Sequence, residues 1–236
     1  RSVGSVVRFL FSSTWGYGHV FPMVPLARAF VTAGHEVRWA ASEPACALVS
    51  AAGLAAVPAG FDTDGVRQVT QRLLAGLAGI RHEDRAAYAF PHMFGEWATP
   101  PMLGDLLGLA RDWRPDLMVH ENAELAAPLV AAVLGVPTAT HGFGGAVPPS
   151  FLVEAGQRLT ALWAEHGLTV PPYAGAFAGT YLDICPAPLQ TVSVDHIPQR
   201  QALRPVPYTG ERTGSLPEFL DRDDPRPLVY LTLGTV

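Results

Sequence analysis

The sequence predicts an α/β fold in which a doubly wound, mostly parallel sheet is covered by helices on both faces. Apolar runs of strand length alternate with helical segments over the first 60 residues and again after residue 102. The runs lack polar alternation, which is typical of strands that are buried on both faces. Hydrophobic residues make up 49% of the chain and charged residues only 16%, so a large core can form.

The first strand is predicted at VVRFLFSS, where a mostly apolar run ends in serines. The following helix places apolar residues at helical spacing, and Gly34 is a typical helix stop. Strands separated by helices of this length indicate βαβ units. The elements alternate from strand to helix as residues 6–13, 22–33, 36–42, 44–53 and 54–59.

Residues 60–101 interrupt this rhythm, because they carry many aromatic residues, methionine and histidine, and end in TPP. We expect helical and mobile pieces inserted over one end of the sheet. The alternation then resumes with helices at 102–113, 123–135 and near 150–166, and with strands at 116–121, 136–142, 180–185, 190–194 and, as a short one, 206–210.

The domain boundaries are predicted from composition. Residues 1–210 form the first domain, and residues 211–227 are rich in charge, proline and turn residues, as linkers are. The apolar strand predicted at 228–236 has no sheet neighbours after it, so we expect it to be the first strand of a second domain that is largely missing.

Composition excludes several classes of function. All 16 basic residues are arginine, which excludes a Walker A loop and a lysine Schiff base. The net charge of -5 argues against a nucleic-acid partner. Two isolated cysteines, no leader-like start and no apolar stretch long enough for a membrane span lead us to expect a cytoplasmic protein.

The two predicted site residues are His19, after strand 1, and Glu121, at the end of strand 4. In a doubly wound sheet of order 3-2-1-4-5 these two strands are neighbours, and ligands bind at their carboxyl ends. A carboxylate beside an imidazole fixes its tautomer and makes it a better base. The alternatives are that His19 caps the helix or bonds a backbone carbonyl, and that Glu121 is a solvated carboxylate at a strand end.

Two further motifs lie at this edge. The glycines of Gly16-Tyr17-Gly18 begin a dinucleotide fingerprint, but Phe21 occupies the third position, where glycine or alanine is needed. A dinucleotide-dependent oxidoreductase domain is therefore the alternative reading. The triplet HEN at 120–122 is not HExxH, because Glu124 stands where the second histidine belongs, and no metal site is predicted.

The segments GYGHVFPMVPLARAF (16–30), GHEVRWAA (34–41), RPDLMVHE (114–121), LGVPTATHG (134–142) and RPLVYLTLGT (226–235) resemble the amino-terminal half of GT-B glycosyltransferases of family 1. The similarity is greatest to actinobacterial enzymes that attach deoxysugars to antibiotics. It covers nearly the whole chain.

The resemblance implies an inverting sugar transfer from a nucleoside-diphosphate sugar to a hydroxyl group, with no metal and no other cofactor. It implies that His19 is the base and that Glu121 takes the place of an orienting aspartate. Donor-binding residues would be Thr14, Gly18, Gly234 and Thr235. Because the donor domain of the family is largely missing, the chain alone is expected to be inactive.

A hydrophobic acceptor is expected, because aromatic residues and methionine occur in sequence that looks like loops rather than strands. The resemblance implies that this acceptor is a natural product. Ordinary core packing is the alternative for each of them, and a non-catalytic small-molecule binding module is the alternative for the whole chain. The predicted acceptor-binding residues are Tyr17, Phe90, Met93, Phe94, Trp97, His141 and Phe143.

Overall fold

The computed structural model describes residues 5–208 and the single positions 210, 227, 229 and 231. Its strands are β1 (Arg8–Ser13), β2 (Glu36–Ala41), β3 (Ala55–Pro58), β4 (Leu117–Glu121), β5 (Thr138–His141), β6 (Thr180–Asp183) and β7 (Arg200–Ala202). Within the described residues these seven strands form one parallel sheet of order β3-β2-β1-β4-β5-β6-β7. The predicted fold class is confirmed, and the order contains the predicted 3-2-1-4-5.

Helices connect the strands. They are α1 (Tyr17–Val20), α2 (Val24–Thr32), α3 (Glu43–Ala51), α4 (Thr63–Gly76), α5 (Arg85–Phe90), α6 (Thr99–Trp113), α7 (Ala126–Leu134), α8 (Pro149–Arg158) and α9 (Thr160–Ala164). A π-helix spans Pro91–Ala98, and short 3₁₀ turns lie at His82–Asp84, Pro172–Gly175 and Ala187–Leu189. No helix in the described part of the chain is long and apolar enough to cross a membrane.

Alternate residues of β1 enter two separate apolar layers. Phe9 and Phe11 pack with residues of α2 and α3 on one face, whereas Leu10 packs with residues of α6 and α7 on the other. Leu10 and Phe11 are fully buried, and burying a side chain of this size contributes about 1.5–3 kcal/mol. The strand is therefore apolar on both faces because both faces are covered.

Most of the segment at 60–101 is helical in the structure. The π-helix widens the last turns before α6, and the Thr99 hydroxyl donates to the carbonyl oxygen of Phe94 at 2.7 Å. Gly95 lies against α8, where an added Cβ would come within 3.1 Å of the Ala155 side chain. This contact fixes the π-helix on α8, over the carboxyl edge of the sheet.

The prediction of a strand at 190–194 is wrong. The seventh strand is β7, which pairs with β6 through Tyr181 and Arg200. The chain leaves β6 through the turn at Ala187–Leu189, and the Gln190 side chain bonds Ala146 N–H and Asp183 instead of entering the sheet.

The short strand predicted at 206–210 is also absent, since residues 206–208 and 210 belong to no strand. Tyr208 instead packs edge-on against Phe21, with ring centroids 5.1 Å apart. The helix predicted near 150–166 is divided into α8 and α9 at Leu159. The predicted linker at 211–227 and the predicted strand at 228–236 lie outside the described residues, apart from positions 227, 229 and 231.

Candidate functional site

His19 lies in the short helix α1, directly beyond the carboxyl end of β1. The connection turns sharply at Gly16, whose φ of 95° is a conformation that side chains other than glycine rarely adopt. The N–H of His19 donates to the Gly16 carbonyl at 3.2 Å. The turn thereby projects the imidazole over the sheet edge, and its side chain remains 22% exposed.

Glu121 ends β4, the strand beside β1, with Ser12 paired to His120 across the two strands. Its side chain is fully buried, and Oε1 lies 3.0 Å from Nδ1 of His19. Oε1 also accepts from the N–H of Thr14 at 3.2 Å and from its hydroxyl at 2.9 Å. Oε2 accepts from the N–H of Ala123. The structure thus places the two predicted residues in direct contact.

Burial and charge act in opposite directions on this pair. Burial lowers the pKa of His19, but the Glu121 carboxylate and its hydrogen bond outweigh it, and the pKa is raised above 6.5. For Glu121, burial raises the pKa, but His19 and the donors from Ala123 and Thr14 hold it below 4.5. Glu121 is therefore anionic at neutral pH and accepts a hydrogen bond from Nδ1–H of His19. The nitrogen of His19 that can accept a proton is then Nε2.

Aromatic rings frame the imidazole. The ring centroid of His19 lies 5.4 Å from that of Phe94 and 5.2 Å from that of Phe143. Phe94 also contacts Phe90 at 5.2 Å and Trp15 at 6.1 Å. Phe94 and Phe143 therefore form an aromatic wall beside His19, and Phe90 lies behind Phe94. Phe90 and Phe94 are each only 8% exposed and also belong to the buried core.

Met93 and Trp97 lie on the same π-helix as Phe94, but the ring contacts of His19 do not include them. Met93 is partly buried against the core that includes α6 and α7. The Trp97 ring lies beneath the guanidinium of Arg72, 4.2 Å from the ring centroid, and its indole N–H donates to Glu96. Trp97 thus faces α4, on the outer side of the π-helix.

Tyr17, Gly18 and His141 line a groove that runs between α1, α2 and the segment at 203–208. Its volume is about 710 Å³. His141 is 1% exposed, and its Nδ1 bonds the Gly142 carbonyl at 2.6 Å. Burial lowers the pKa of His141 to about 4, so it is neutral at physiological pH.

The predicted donor residues fall in different places. Thr14 is 3% exposed, and its hydroxyl is engaged with Glu121 rather than with open space. Gly18 is exposed in the groove just described. Gly234 and Thr235 lie outside the described residues.

Sequence reasoning missed Ser12 and Glu124 and the part that Thr14 plays. Glu124 is 2% exposed and accepts hydrogen bonds from Ser12 and from the first turn of α7. A carboxylate just before an apolar helix is a capping signal that could have pointed to this contact. The His120 ring bonds the Glu124 carbonyl and Thr140, and burial lowers its pKa to about 4, so it is a neutral structural side chain.

Curated proteins similar to this chain are sugar transferases. 3-alpha-mycarosylerythronolide B desosaminyl transferase of Saccharopolyspora erythraea is 32% identical, and the match covers 97% of this chain and 61% of that protein. L-demethylnoviosyl transferase of Streptomyces niveus is 34% identical, with 97% of this chain and 57% of that protein covered.

Solved structures agree with this similarity. The glycosyltransferase SsfS6 of Streptomyces sp. SF2575 superposes with a TM-score of 0.74 at 29% identity, covering 94% of this chain and 60% of that one. A structure of the same enzyme in complex with thymidine diphosphate gives a TM-score of 0.69 at 27% identity, with 94% of this chain and 59% of that one covered. The resemblance to natural-product glycosyltransferases of the GT-B fold is confirmed.

The chain spans about 60% of the length of these relatives. The family described as erythromycin biosynthesis protein CIII-like, N-terminal domain, matches residues 28–234, which is most of the chain. The chain therefore belongs to the erythromycin biosynthesis protein CIII-like family, as its N-terminal domain.

Proposed function

We propose that this chain is the acceptor-binding half of an inverting glycosyltransferase, which moves a sugar or deoxysugar from a nucleoside diphosphate to a hydroxyl of a hydrophobic natural product. One observation carries the proposal. The imidazole of His19 is held by the buried Glu121 carboxylate at the carboxyl edge of β1 and β4 and stands beside an aromatic wall. Desosaminyl and demethylnoviosyl transferases among the relatives support it.

The base is Nε2 of His19. It takes the proton of the acceptor hydroxyl while the acceptor oxygen forms a bond to the anomeric carbon of the donor. The bond from that carbon to the diphosphate oxygen breaks, and its electron pair leaves with the nucleoside diphosphate. A single displacement of this kind inverts the anomeric centre, and the Glu121 carboxylate stabilises the imidazolium that forms.

The acceptor is a flat or cyclic apolar molecule that lies against the wall formed by Phe94 and Phe143, which Phe90 supports from behind. Aromatic rings in a cleft favour such ligands because they bury large apolar area at fixed geometry. The acceptor hydroxyl is directed at His19, which is the polar group within this wall.

The co-substrate is a nucleoside-diphosphate sugar, and the proposed reaction requires no other cofactor because a protein side chain removes the proton. SsfS6, whose structure has been solved with thymidine diphosphate, supports a nucleotide partner. Contacts of Thr14, Gly18, Gly234 and Thr235 with the donor remain predictions. Most of the donor site is proposed to lie in the part of the relatives that this chain does not span.

The oxidoreductase reading is not favoured. Phe21 occupies the third glycine position of the fingerprint and packs against Tyr17 and Tyr208. The close helix–strand packing that a glycine at this position allows in dinucleotide-binding domains is therefore not available here. The binding-module reading predicts acceptor binding without chemistry.

The decisive experiment is a sugar-transfer assay in the full-length enzyme with His19→Ala. We expect kcat to fall by about 10²–10⁴, the range that a general base contributes. The matched control is His82→Ala, because His82 is exposed in the turn at His82–Asp84. Near-normal turnover of His19→Ala would refute the base, and calorimetry that detects aglycone binding without transfer by the wild type would favour the binding module.

A further inference from the structure

A second buried carboxylate lies at the same edge of the sheet as Glu121. Glu124 is 2% exposed, and its Oε2 accepts the hydroxyl hydrogen of Ser12 at 2.5 Å. Its Oε1 accepts from the N–H of Ala126 at 2.8 Å and from the N–H of Ala127 at 3.3 Å. One side chain thereby joins the end of β1 to the first turn of α7.

The backbone of Glu124 closes the turn that begins at Glu121. The Glu124 N–H donates to the Glu121 carbonyl at 3.1 Å, and the Glu124 carbonyl accepts from Nδ1 of His120 at 3.0 Å. Within the same turn the N–H of Ala123 donates to the Glu121 carboxylate. The turn at 121–124 is therefore fixed by both the backbone and the side chain of Glu124.

The two carboxylates of this turn bind two positions of one chain segment that are two residues apart. Glu124 binds Ser12 in β1, and Glu121 binds Thr14 just after it. That segment leads directly into the loop that carries His19. A change in the Ser12–Glu124 contact would therefore move the turn and the His19 loop relative to each other.

We propose that Glu124 is a positioning residue for the His19–Glu121 pair: it ties the turn at 121–124 to Ser12 and α7, and so keeps the Glu121 carboxylate against Nδ1 of His19. The inference deepens the proposed function and rests on it for the meaning of the pair as a base. Glu124 acts through Glu121 and is not itself a catalytic residue.

The tie does not require a charge on Glu124. Burial raises the pKa of Glu124 to about 7, although the donors from Ser12 and Ala126 oppose this, so the acid and the carboxylate are both present near neutral pH. A serine hydroxyl can donate to a carboxylate, or accept from a carboxylic acid or from a glutamine amide. Glu124→Gln should therefore keep the tie, whereas Glu124→Ala removes it.

The experiment is an NMR titration of the His19 ring in this chain, run on the wild type and on Glu124→Ala, Glu124→Gln and Glu121→Gln. Asp183→Ala is the matched control. Asp183 is also a buried carboxylate at a strand end, and it accepts three hydrogen bonds at 3.0 Å, from Cys185, Gln190 and Arg200. The melting temperature of every variant is measured in parallel.

In Glu124→Ala we expect the pKa of His19 to fall, in the same direction as in Glu121→Gln, because the imidazole stays buried and loses its carboxylate contact. Glu124→Gln should titrate like the wild type. Asp183→Ala should lower the melting temperature and leave the His19 titration unchanged.

An unchanged His19 pKa in a folded Glu124→Ala protein would overturn the proposal, since a lowered melting temperature alone marks a structural residue. A fall in Glu124→Gln as large as in the alanine variant would also overturn it, because charge and not the tie would then be responsible. If Glu124→Ala does not fold, Ser12→Ala takes its place, since it cuts the same contact from the β1 side.

Transfer kinetics separate this inference from the proposed function. In the full-length enzyme, Glu124→Ala should lower kcat with little change in the acceptor KM, the signature of an interaction made at the transition state. If the wild-type enzyme transfers no sugar, the proposed function fails, whereas the titration still decides whether Glu124 positions the pair.

Discussion

Nδ1 of His19 and Oε1 of Glu121 lie 3.0 Å apart, although 102 positions of sequence separate the two residues. The contact exists because β1 and β4 are neighbours in the sheet and both end at the same edge. It gives a partly buried imidazole, whose side chain is 22% exposed, a fully buried carboxylate as its partner.

The first prediction concerns the charge of Glu121. Glu121→Gln keeps the size of the side chain but removes the negative charge that raises the pKa of His19. Burial then lowers this pKa unopposed, so it should fall below its wild-type value. A titration followed by NMR measures the shift. Transfer should slow less than in His19→Ala, and unchanged kcat would show that the carboxylate does not assist the base.

The second prediction separates two aromatic residues of the π-helix. Phe94 contacts His19, whereas Trp97 lies under Arg72. Phe94→Leu should weaken the binding of an apolar acceptor, as measured by calorimetry. Trp97→Leu should leave that affinity unchanged and lower the free energy of unfolding, because a cation–π contact contributes about 0.5–2 kcal/mol. Equal losses of affinity in both variants would contradict this placement.

The third prediction concerns the two glycines before His19. Gly16 has φ of 95°, and an added Cβ would meet only the His19 ring at 3.9 Å, so strain in Gly16→Ala arises from the backbone. Urea unfolding should show a loss of about 1–3 kcal/mol, because φ 95° with ψ 156° is a region that essentially only glycine adopts. Gly18→Ala is the control, because Gly18 lies in α1 with no atom within 4 Å of an added Cβ. It should be no less stable than the wild type, and any loss of transfer in it would then report on the donor.

The fourth prediction concerns pH. The pKa of Glu124 is about 7 in the folded chain against an ordinary 4.5, so the folded chain holds this proton more tightly than the unfolded one. Its stabilising contribution is complete below about pH 4.5 and is lost as the pH rises through about 7. Relative to Glu124→Gln, the wild type should therefore lose up to about 1.4 kcal/mol per pH unit across this window.

Urea unfolding of the two proteins at several pH values measures that difference. Titratable groups distant from residue 124 are common to both proteins and cancel in the comparison to first order, whereas Glu121 is electrostatically coupled to Glu124. A difference that stays flat from about pH 4.5 to 8, or that grows in favour of the wild type, would contradict a raised pKa of Glu124.

The sheet and the contact at its edge followed from the sequence because both rest on topology. Alternation of apolar strands and helices predicts parallel pairing, and the order of a doubly wound sheet then places the ends of β1 and β4 together. Those steps need only the identity of each element and not its detailed packing.

Features that depend on tertiary packing could not be predicted from the sequence. The strand β7 has the sequence RQA, and its three residues are exposed, so its sequence carries no apolar pattern. The segment 190–194 has a more strand-like sequence, but the hydrogen bonds of the Gln190 side chain hold it outside the sheet. The parts played by Thr14 and Glu124 depend on the register of Ser12 against His120. This register is a relation between two distant segments, so the sequence pattern of one segment alone cannot predict it.

The neighbouring places of β1 and β4 in the sheet have a consequence for biosynthesis. Phe9 pairs with Leu117, so the partner of β1 leaves the ribosome 108 residues later. At usual translation rates this delay is roughly 5–20 s, during which one edge of an apolar strand stays open to wrong partners. Slowed elongation between these two positions, or a shortage of holdase chaperones, should therefore divert nascent chains into aggregates.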